Sequence, residues 1–303
     1  WSAKTIYEYR HKGKVIAKYL PDAWSAEAAA LTKGICLGMY DRLRAQAGIS
    51  QASATMRALG TALQWAMDRD RLPGMLVNPS HKLRMKTPDP RVRFGTREEI
   101  NQIVAVADAI GRPELGDMIM LGVWSGQRQN DRLNFQIAGR RSGRITLRQM
   151  KTKVMVSIPE APQLKWRLAA AEERRKLAEV ISPNVILDEK RWVPFLASHY
   201  SHQFDKLRRT AAKGMPATAT RKAIEPMESL LTLRDQDLRD TAVTWLAMAG
   251  CTIPEICAIT GHDFKSAHEI LKHYLAINQE LADSAMAKMI AWYDTSPIEE
   301  ENM

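Results

Sequence analysis

Cysteine is scarce in this chain. Its 303 residues include three, Cys36, Cys251 and Cys257, an odd number without metal-ligand spacing. That pattern excludes a disulfide framework and reads as reduced, mostly buried thiols in a reducing compartment. Long apolar runs are missing too. No stretch approaches the roughly 18 uninterrupted apolar residues that a membrane span needs, and no basic and apolar leader precedes a small-residue cleavage site. The expectation is a soluble protein of the cytoplasm, with no membrane partner. The chain carries neither internal repeats nor a low-complexity tract. It starts at Trp1 instead of Met, which points to a missing N-terminal piece.

What is present is size and positive charge. At 303 residues and 45% hydrophobic content the chain can fold as two domains, since single cores usually stop growing below this length. The net charge of +10 and pI near 9.6 make an acidic polymer the first partner to consider, because phosphate neutralisation with counterion release rewards clustered Lys and Arg. One such cluster holds Arg140, Arg141, Arg144, Arg148, Lys151 and Lys153 with no acidic residue among them. The plain alternative for that cluster is a solvated strand face.

Helical periodicity dominates the first part, residues 1–86. Met56, Leu59, Leu63, Ala66 and Met67 recur at three- and four-residue steps, which puts them on one stripe of a helix. The segments Thr5 to Leu20 and Ala26 to Ala47 read the same way. In residues 87–95 the prolines Pro88 and Pro90 interrupt any helix and Arg91 and Arg93 add charge, so this segment reads as an interdomain linker lying on a polyanion. A second domain, 96–303, opens at Thr96, which forms a capping box with Glu99. Helices are expected over Glu98 to Ile110 and Leu115 to Trp124, the latter broken at Gly126. Between Phe135 and Pro159 the period changes to two, with Ile145 and Leu147 alternating, then Val154, Val156 and Ile158. Turn residues at Gly139 to Gly143 and around Lys151 predict three antiparallel strands, with Lys151 in the last hairpin. Helix returns from Gln163, with a looser segment at Lys213 to Met227. Capping boxes at Thr252 and Glu255 and at Ser266 and Glu269 open two late helices, the second carrying Tyr274. The acidic end DTSPIEEEN reads as mobile. The fold class is mainly α with a small antiparallel β-sheet.

Taken singly, each candidate for chemistry has an ordinary explanation. Tyr274 stands four residues after Ile270, beside Leu271 and Leu275, the pattern of a half-buried core tyrosine. His262 can interact with a helix C-terminus. Arg128 and Arg239 can be surface ion pairs, and a lysine in a hairpin is usually solvated.

Their combination and order resemble the tyrosine recombinases, the phage-type integrases. SGQRQND, with Arg128 and Asp131, is similar to that family's first arginine box. RQMKTK, with Lys151, is similar to its hairpin lysine. QDLRDTAVTWLAMAG, with Arg239, is similar to its second box, and ITGH, with His262, precedes Tyr274. The resemblance covers essentially the whole chain, because residues 1–86 resemble the family's helical core-binding domain. It implies a C-shaped clamp on duplex DNA and Tyr274 as a nucleophile that becomes linked to a 3′ phosphate. Arg128 and Arg239 would clamp the nonbridging oxygens, Lys151 would protonate the 5′ leaving oxygen, and His262 would donate to the phosphate. Neither cofactor nor metal is implied. The implied partners are double-stranded DNA with a specific attachment site, further copies of the chain as a homotetramer on two DNA sites, and accessory DNA-bending or directionality proteins; the implied location is the nucleoid. Phosphate and backbone contacts would come from Arg91, Arg93, Arg140, Arg141, Arg144, Arg148 and Lys153.

Two departures stand out. Gln236 occupies the place where relatives carry the second box's histidine, and an amide cannot exchange a proton near neutral pH. The interval from His262 to Tyr274 is also longer than in many members. Gln236 is the best support for one rival reading, a DNA-binding architectural or regulatory protein that has lost cleavage. A second rival is a type IB topoisomerase-like enzyme acting as a monomer.

Overall fold

Two helix starts follow capping boxes written into the sequence, at Thr96 and at Thr252. The computed structural model describes residues 1–86, 88, 91, 93–275 and 279–295; the side chains of residues 3 and 273–282 lie outside that description. The chain divides into two units, Trp1–Arg91 and Val92–Met303.

In the first unit, α1 (Ala3–Tyr19) is capped by Ser2, whose hydroxyl accepts from Thr5 N. Helix α2 (Pro21–Ser25) and a 3-10 turn (Ala28–Ala30) lead into α3 (Lys33–Ala47). The helix expected from Ala26 to Ala47 is therefore shorter at its start, because Thr32 caps it by accepting from Ile35 N. Helix α4 (Ile49–Met67) buries Met56 and Leu63 of the predicted stripe and half-buries Leu59, Ala66 and Met67. Val15, Ile16, Cys36, Met39, Leu43 and Met56 form the core of this unit. The phenolic oxygen of Tyr40 accepts from Lys86 N at 2.9 Å, which fixes the end of the unit.

The last residues of the predicted linker belong to the second unit. Gly95 N donates to Thr241 Oγ1 at 2.8 Å, and Trp245 Nε1 donates to Gly95 O at 3.1 Å. Arg93, expected on DNA phosphates, instead pairs with Glu99 at 2.6 Å and donates to Thr232 Oγ1 and Ser229 O. The reason is local. Glu99 spends Oε2 on the capping box at Thr96 and is buried, so its charge requires an internal cation.

That box opens α5 (Arg97–Ala109), followed by α6 (Pro113–Ser125) and the short α7 (Gln129–Leu133). Strands β1 (Arg140–Arg141), β2 (Arg144–Arg148) and β3 (Met155–Pro159) form an antiparallel sheet in the order β1-β2-β3, with Ile145 opposite Ile158 and Leu147 opposite Val156. Strand β1 lies inside the segment expected as turn; only Ser142 and Gly143, both at positive φ, make the tight reversal. Helix α8 (Pro162–Leu177) is followed by an irregular stretch, 178–196, which the periodicity did not foresee. The bridge pairs Gln136 with Asn184 and Asp188 with Val193 hold it down. Helices α9 (Ala197–Lys213), α10 (Asp237–Met248), α11 (Ile253–Thr260), α12 (Phe264–Leu275) and α13 (Gln279–Thr295) complete the unit.

The Thr252 and Glu255 box is present, but the third expected box is not. Asp263 accepts from both the backbone N and the hydroxyl of Ser266, so the cap of α12 stands three residues earlier than Ser266. The acidic end from residue 296 lies outside the described residues. Leu115, Met118, Ile119, Leu121, Leu164, Tyr200 and Leu238 centre the core of this unit. Among the described residues no helix is long and apolar enough to cross a membrane.

Candidate active site

Two glycine-ended helices, the first turn of α10 and one hairpin meet around Arg128 and Arg239. Helix α6 ends at Gly126, whose φ of +63° makes a left-handed cap. A Cβ there would come 2.7 Å from Thr260 Cγ2, so the corner after α6 lies directly against the end of α11. Helix α11 ends the same way at Gly261, φ +65°, which delivers His262. The β2–β3 turn approaches from the third side.

Arg239, in the first turn of α10, is buried. Its Nη1 donates to Gly126 O and Thr260 O at 2.5 and 2.9 Å, and its Nε donates to His262 Nε2 at 3.0 Å. Its Nη2 is buried with no protein partner among the described residues. Burial first, then the neighbouring Arg128 charge, pushes the Arg239 pKa down to about 9. Burial, Arg239 and Arg128 push His262 down to about 3, so its ring is neutral. With Nε2 accepting, the ring proton sits on Nδ1 and bonds Thr260 Oγ1 at 2.9 Å, while the threonine hydroxyl donates to Ile256 O. In this arrangement His262 orients Arg239. The expected donation from His262 to a phosphate requires a proton on Nε2, the atom that here accepts from Arg239.

Arg128 is half-buried and donates Nη1 to Gln149 Oε1 at 2.8 Å. Arg128, Arg239, Gln236 and Arg234 line a cleft of about 450 Å³, walled on the far side by Ser201 and Arg208 of α9. Gln236 is exposed in it, immediately before α10. Lys151 stands exposed in the β2–β3 turn, as its sequence context predicts. Asp131 accepts from Met150 N at 2.8 Å, tying that turn to α7.

Tyr274 lies within α12 by its backbone; its side chain lies outside the described residues. Helix α12 packs against α10 and α11, the elements that carry Arg239 and His262, and buries Ala267 and Leu271.

The predicted DNA contacts divide. Arg141, Arg144 and Arg148 are exposed on the sheet, and Lys153 is exposed in the β2–β3 turn. Arg140 is half-buried and already paired, its Nε with Glu160 at 2.5 Å and its Nη1 with Glu172 at 3.5 Å. The cluster lacks acid in sequence, but folding brings Glu160 back across the sheet. Arg91 is exposed.

Several residues that build the site are ones the sequence reading passed over. Arg132 is fully internal and donates to Gln127 O, Met118 O and Asp235 Oδ2, the last at 2.6 Å. Tyr200 donates to the other Asp235 oxygen at 2.9 Å. This buried pair ties the corner bearing Arg128 to the residue before Gln236. Gln149 has no exposed surface and joins Arg128, Gln127, Thr152 and Thr260. Its signal was available: Ile145, Leu147 and Gln149 share one face of the strand, so an amide stands at an inward position and must find partners there. Among the described residues no group of three or more His, Cys, Asp or Glu could hold a metal.

Neither a family model nor a curated protein sequence matches this chain. Solved structures do. A lambda integrase fragment, in a dimer bound to a COC′ core site, superposes with a TM-score of 0.69 at 18% identity, covering 89% of each chain. Lambda integrase in a tetramer bound to a Holliday junction gives 0.67 at 20% identity, covering 87% of this chain and 70% of that one. The Tn1549 transposon integrase in complex with transposon right end DNA gives 0.68 at 15% identity, covering 96% and 95%. At these identities the likeness is one of architecture, and it spans both units: the chain has the fold of the tyrosine recombinases.

Proposed function

We propose that this chain is a site-specific DNA recombinase that cleaves and rejoins duplex DNA through a 3′-phosphotyrosine at Tyr274, in the integration or excision of a mobile element. One observation carries the reading. Arg239 is buried, and among the described residues its Nη2 has no partner, beside a second arginine, a neutral histidine and an open cleft. Such a site has positive charge in excess, held in place before any ligand arrives. An anion with several acceptor oxygens relieves it, and a phosphodiester entering its transition state relieves it most.

In the proposed step the Tyr274 oxygen bonds to phosphorus and the bond from phosphorus to the 5′ oxygen breaks. Arg128 and Arg239 hold the nonbridging oxygens. Lys151 gives its proton to the departing 5′ oxygen. The phenolic proton passes to water, because the Gln236 amide cannot take it. Rejoining reverses these transfers with another strand's 5′ hydroxyl and needs no nucleotide cofactor. The substrate would be double-stranded DNA carrying an attachment site. Lambda integrase is seen as a tetramer on a Holliday junction, which supports a homotetramer on two sites for this chain too. Accessory proteins that bend DNA or set direction belong to the same reading.

The exposed Gln236 favours one rival, a DNA-binding protein that has lost cleavage. Incubation with a nicked duplex from the chain's own attachment region separates the two. The recombinase reading expects a covalent protein–DNA band that Tyr274→Phe removes while duplex binding is retained. Binding without a band supports the rival, and a band that persists in the phenylalanine variant assigns the nucleophile elsewhere.

A further inference from the structure

Resting on the recombinase reading, we infer that Gln149 is a positioning residue that sets the Lys151 turn against the arginine clamp. Its amide uses its full bonding capacity. Oε1 accepts from Arg128 Nη1 at 2.8 Å and from Thr152 Oγ1 at 2.6 Å. Nε2 donates to Gln127 Oε1 at 2.7 Å and to Thr260 O at 2.8 Å. Two lone pairs and two protons are all a glutamine amide offers. The orientation is fixed as well. A flipped amide would set its NH2 against the Arg128 donor and its oxygen against the Thr260 carbonyl, two repulsions in place of two bonds.

These partners come from every side of the site. Arg128 and Gln127 belong to the corner after α6. Thr260 ends α11; its carbonyl also receives Arg239 Nη1 and its hydroxyl receives His262 Nδ1. Thr152 is the neighbour of Lys151. The main chain of Gln149 closes the same turn, its N donating to Val154 O and its O accepting from Lys153 N, each at 2.9 Å. One buried side chain thus touches both the phosphate-binding arginine and the turn that presents the proton donor.

Gly261 is what allows the approach. A Cβ there would stand 2.4 Å from Gln149 Nε2, in addition to the strain of a non-glycine residue at φ +65°. The left-handed glycine therefore ends α11 and leaves room for the amide.

A residue acting through Lys151 can be told from one acting through Arg128 by changing the leaving atom. Nicked duplexes are prepared with either oxygen or sulfur at the 5′ bridging position of the scissile phosphate. A thiolate leaves without a proton, so a defect in proton delivery disappears with sulfur, whereas a defect in phosphate clamping persists. Lys151→Ala calibrates full rescue. Gln149→Met preserves bulk and removes all four bonds. It should slow single-turnover cleavage of the oxygen substrate on the order of 100-fold, the usual contribution of a positioned general acid, and of the sulfur substrate by less than about 10-fold. Thr152→Val, in the exposed turn, breaks only the link beside Lys151 and should show the same pattern at a smaller amplitude even if the methionine variant folds poorly.

Equal slowing on both substrates overturns the inference and leaves Gln149 as a support of Arg128 or of the fold. Unchanged rates in both variants overturn it outright. A wild-type protein that cleaves neither substrate instead removes the recombinase reading on which the inference stands.

Discussion

His262 Nε2 accepts a hydrogen bond from Arg239 Nε at 3.0 Å, so a neutral imidazole occupies the place where a carboxylate would usually meet a buried guanidinium. The same molecule shows the usual solution elsewhere. Arg112 is buried against Glu114 and Asp188, Arg132 against Asp235, and Arg167 against Asp117. Those pairs neutralise charge that burial has stripped of water. Arg239 is given carbonyls and a histidine, which orient its planar group, and among the described residues no carboxylate pairs with it directly; Asp131 and Asp240 act on its charge only from a distance. The contrast sets the proposed phosphate site apart from the ion pairs that hold the fold.

Inorganic phosphate or sulfate should therefore stabilise the protein beyond chloride at equal ionic strength. An anion at ten times its dissociation constant contributes about 1.4 kcal/mol, a rise of a few degrees in Tm at this chain length. Thermal unfolding of wild type and of Arg239→Ala and Arg128→Ala measures it. The shift should shrink in both variants, and a shift of the same size in all three would place the anion elsewhere.

Stability should fall on acidification in a window set by His262. Its folded pKa of about 3 lies below the ordinary 6.5, because burial and two arginines disfavour the imidazolium. Between those values the unfolded chain binds the extra proton, so stability rises with pH there. The contribution is complete above about pH 6.5 and is lost as pH falls toward 3, with a slope approaching about 1 kcal/mol per pH unit. Chemical denaturation from pH 7 to 4.5 should give a steeper decline for wild type than for His262→Asn. Parallel declines would show that other groups govern this range.

Duplex binding should weaken steeply with salt, each neutralised phosphate adding roughly 0.9 to the log–log slope. Glutamine at Arg141, Arg148 or Lys153 should lower the slope by about one unit for each phosphate left without its cation. Glutamine at Arg93 or Arg140 should leave the slope unchanged and lower stability instead, since these side chains compensate Glu99 and Glu160. Salt titrations with unfolding curves on the same variants decide it, and a slope change at Arg140 would show that its ion pairs open on DNA.

The legible parts of the sequence were those governed by local rules. Thr96 with Glu99 and Thr252 with Glu255 mark helix starts because a capping box needs only four residues. The alternation of Ile145 and Leu147 marks a strand because its period is two. The order of Arg128, Lys151, Arg239 and His262 was readable, and the first, third and fourth line or adjoin one cleft. What escaped were relations between distant positions. Nothing near Arg140 announces Glu160 just past the strand at the far edge of the sheet, and nothing near Arg93 announces that the glutamate of a capping box will claim it. Gln149 escaped for a related reason: its four partners are spread from residue 127 to residue 260. The stretch 178–196 lacks a period altogether and is held by bridges to other segments.

Gln236 provides the sharpest test of how far the site supports rapid chemistry. It is exposed in the cleft, beside the arginine that lies one helical turn further along α10. Its amide can hydrogen-bond a phosphate but cannot accept the phenolic proton. With proton transfer left to water, the arginines still stabilise charge, so the native chain should be slow, not inactive. A positioned base contributes on the order of 100-fold or more. Gln236→His should therefore accelerate single-turnover cleavage of a nicked substrate by up to about that factor, most clearly above the histidine's own pKa, and should leave duplex affinity unchanged. A pH series from 6 to 9 distinguishes a base from a better phosphate ligand: a base gives a rate that rises and then levels, while a ligand acting as the imidazolium gives one that falls. An unaltered rate in a folded histidine variant would mean that proton removal does not limit cleavage and that the glutamine serves the phosphate alone.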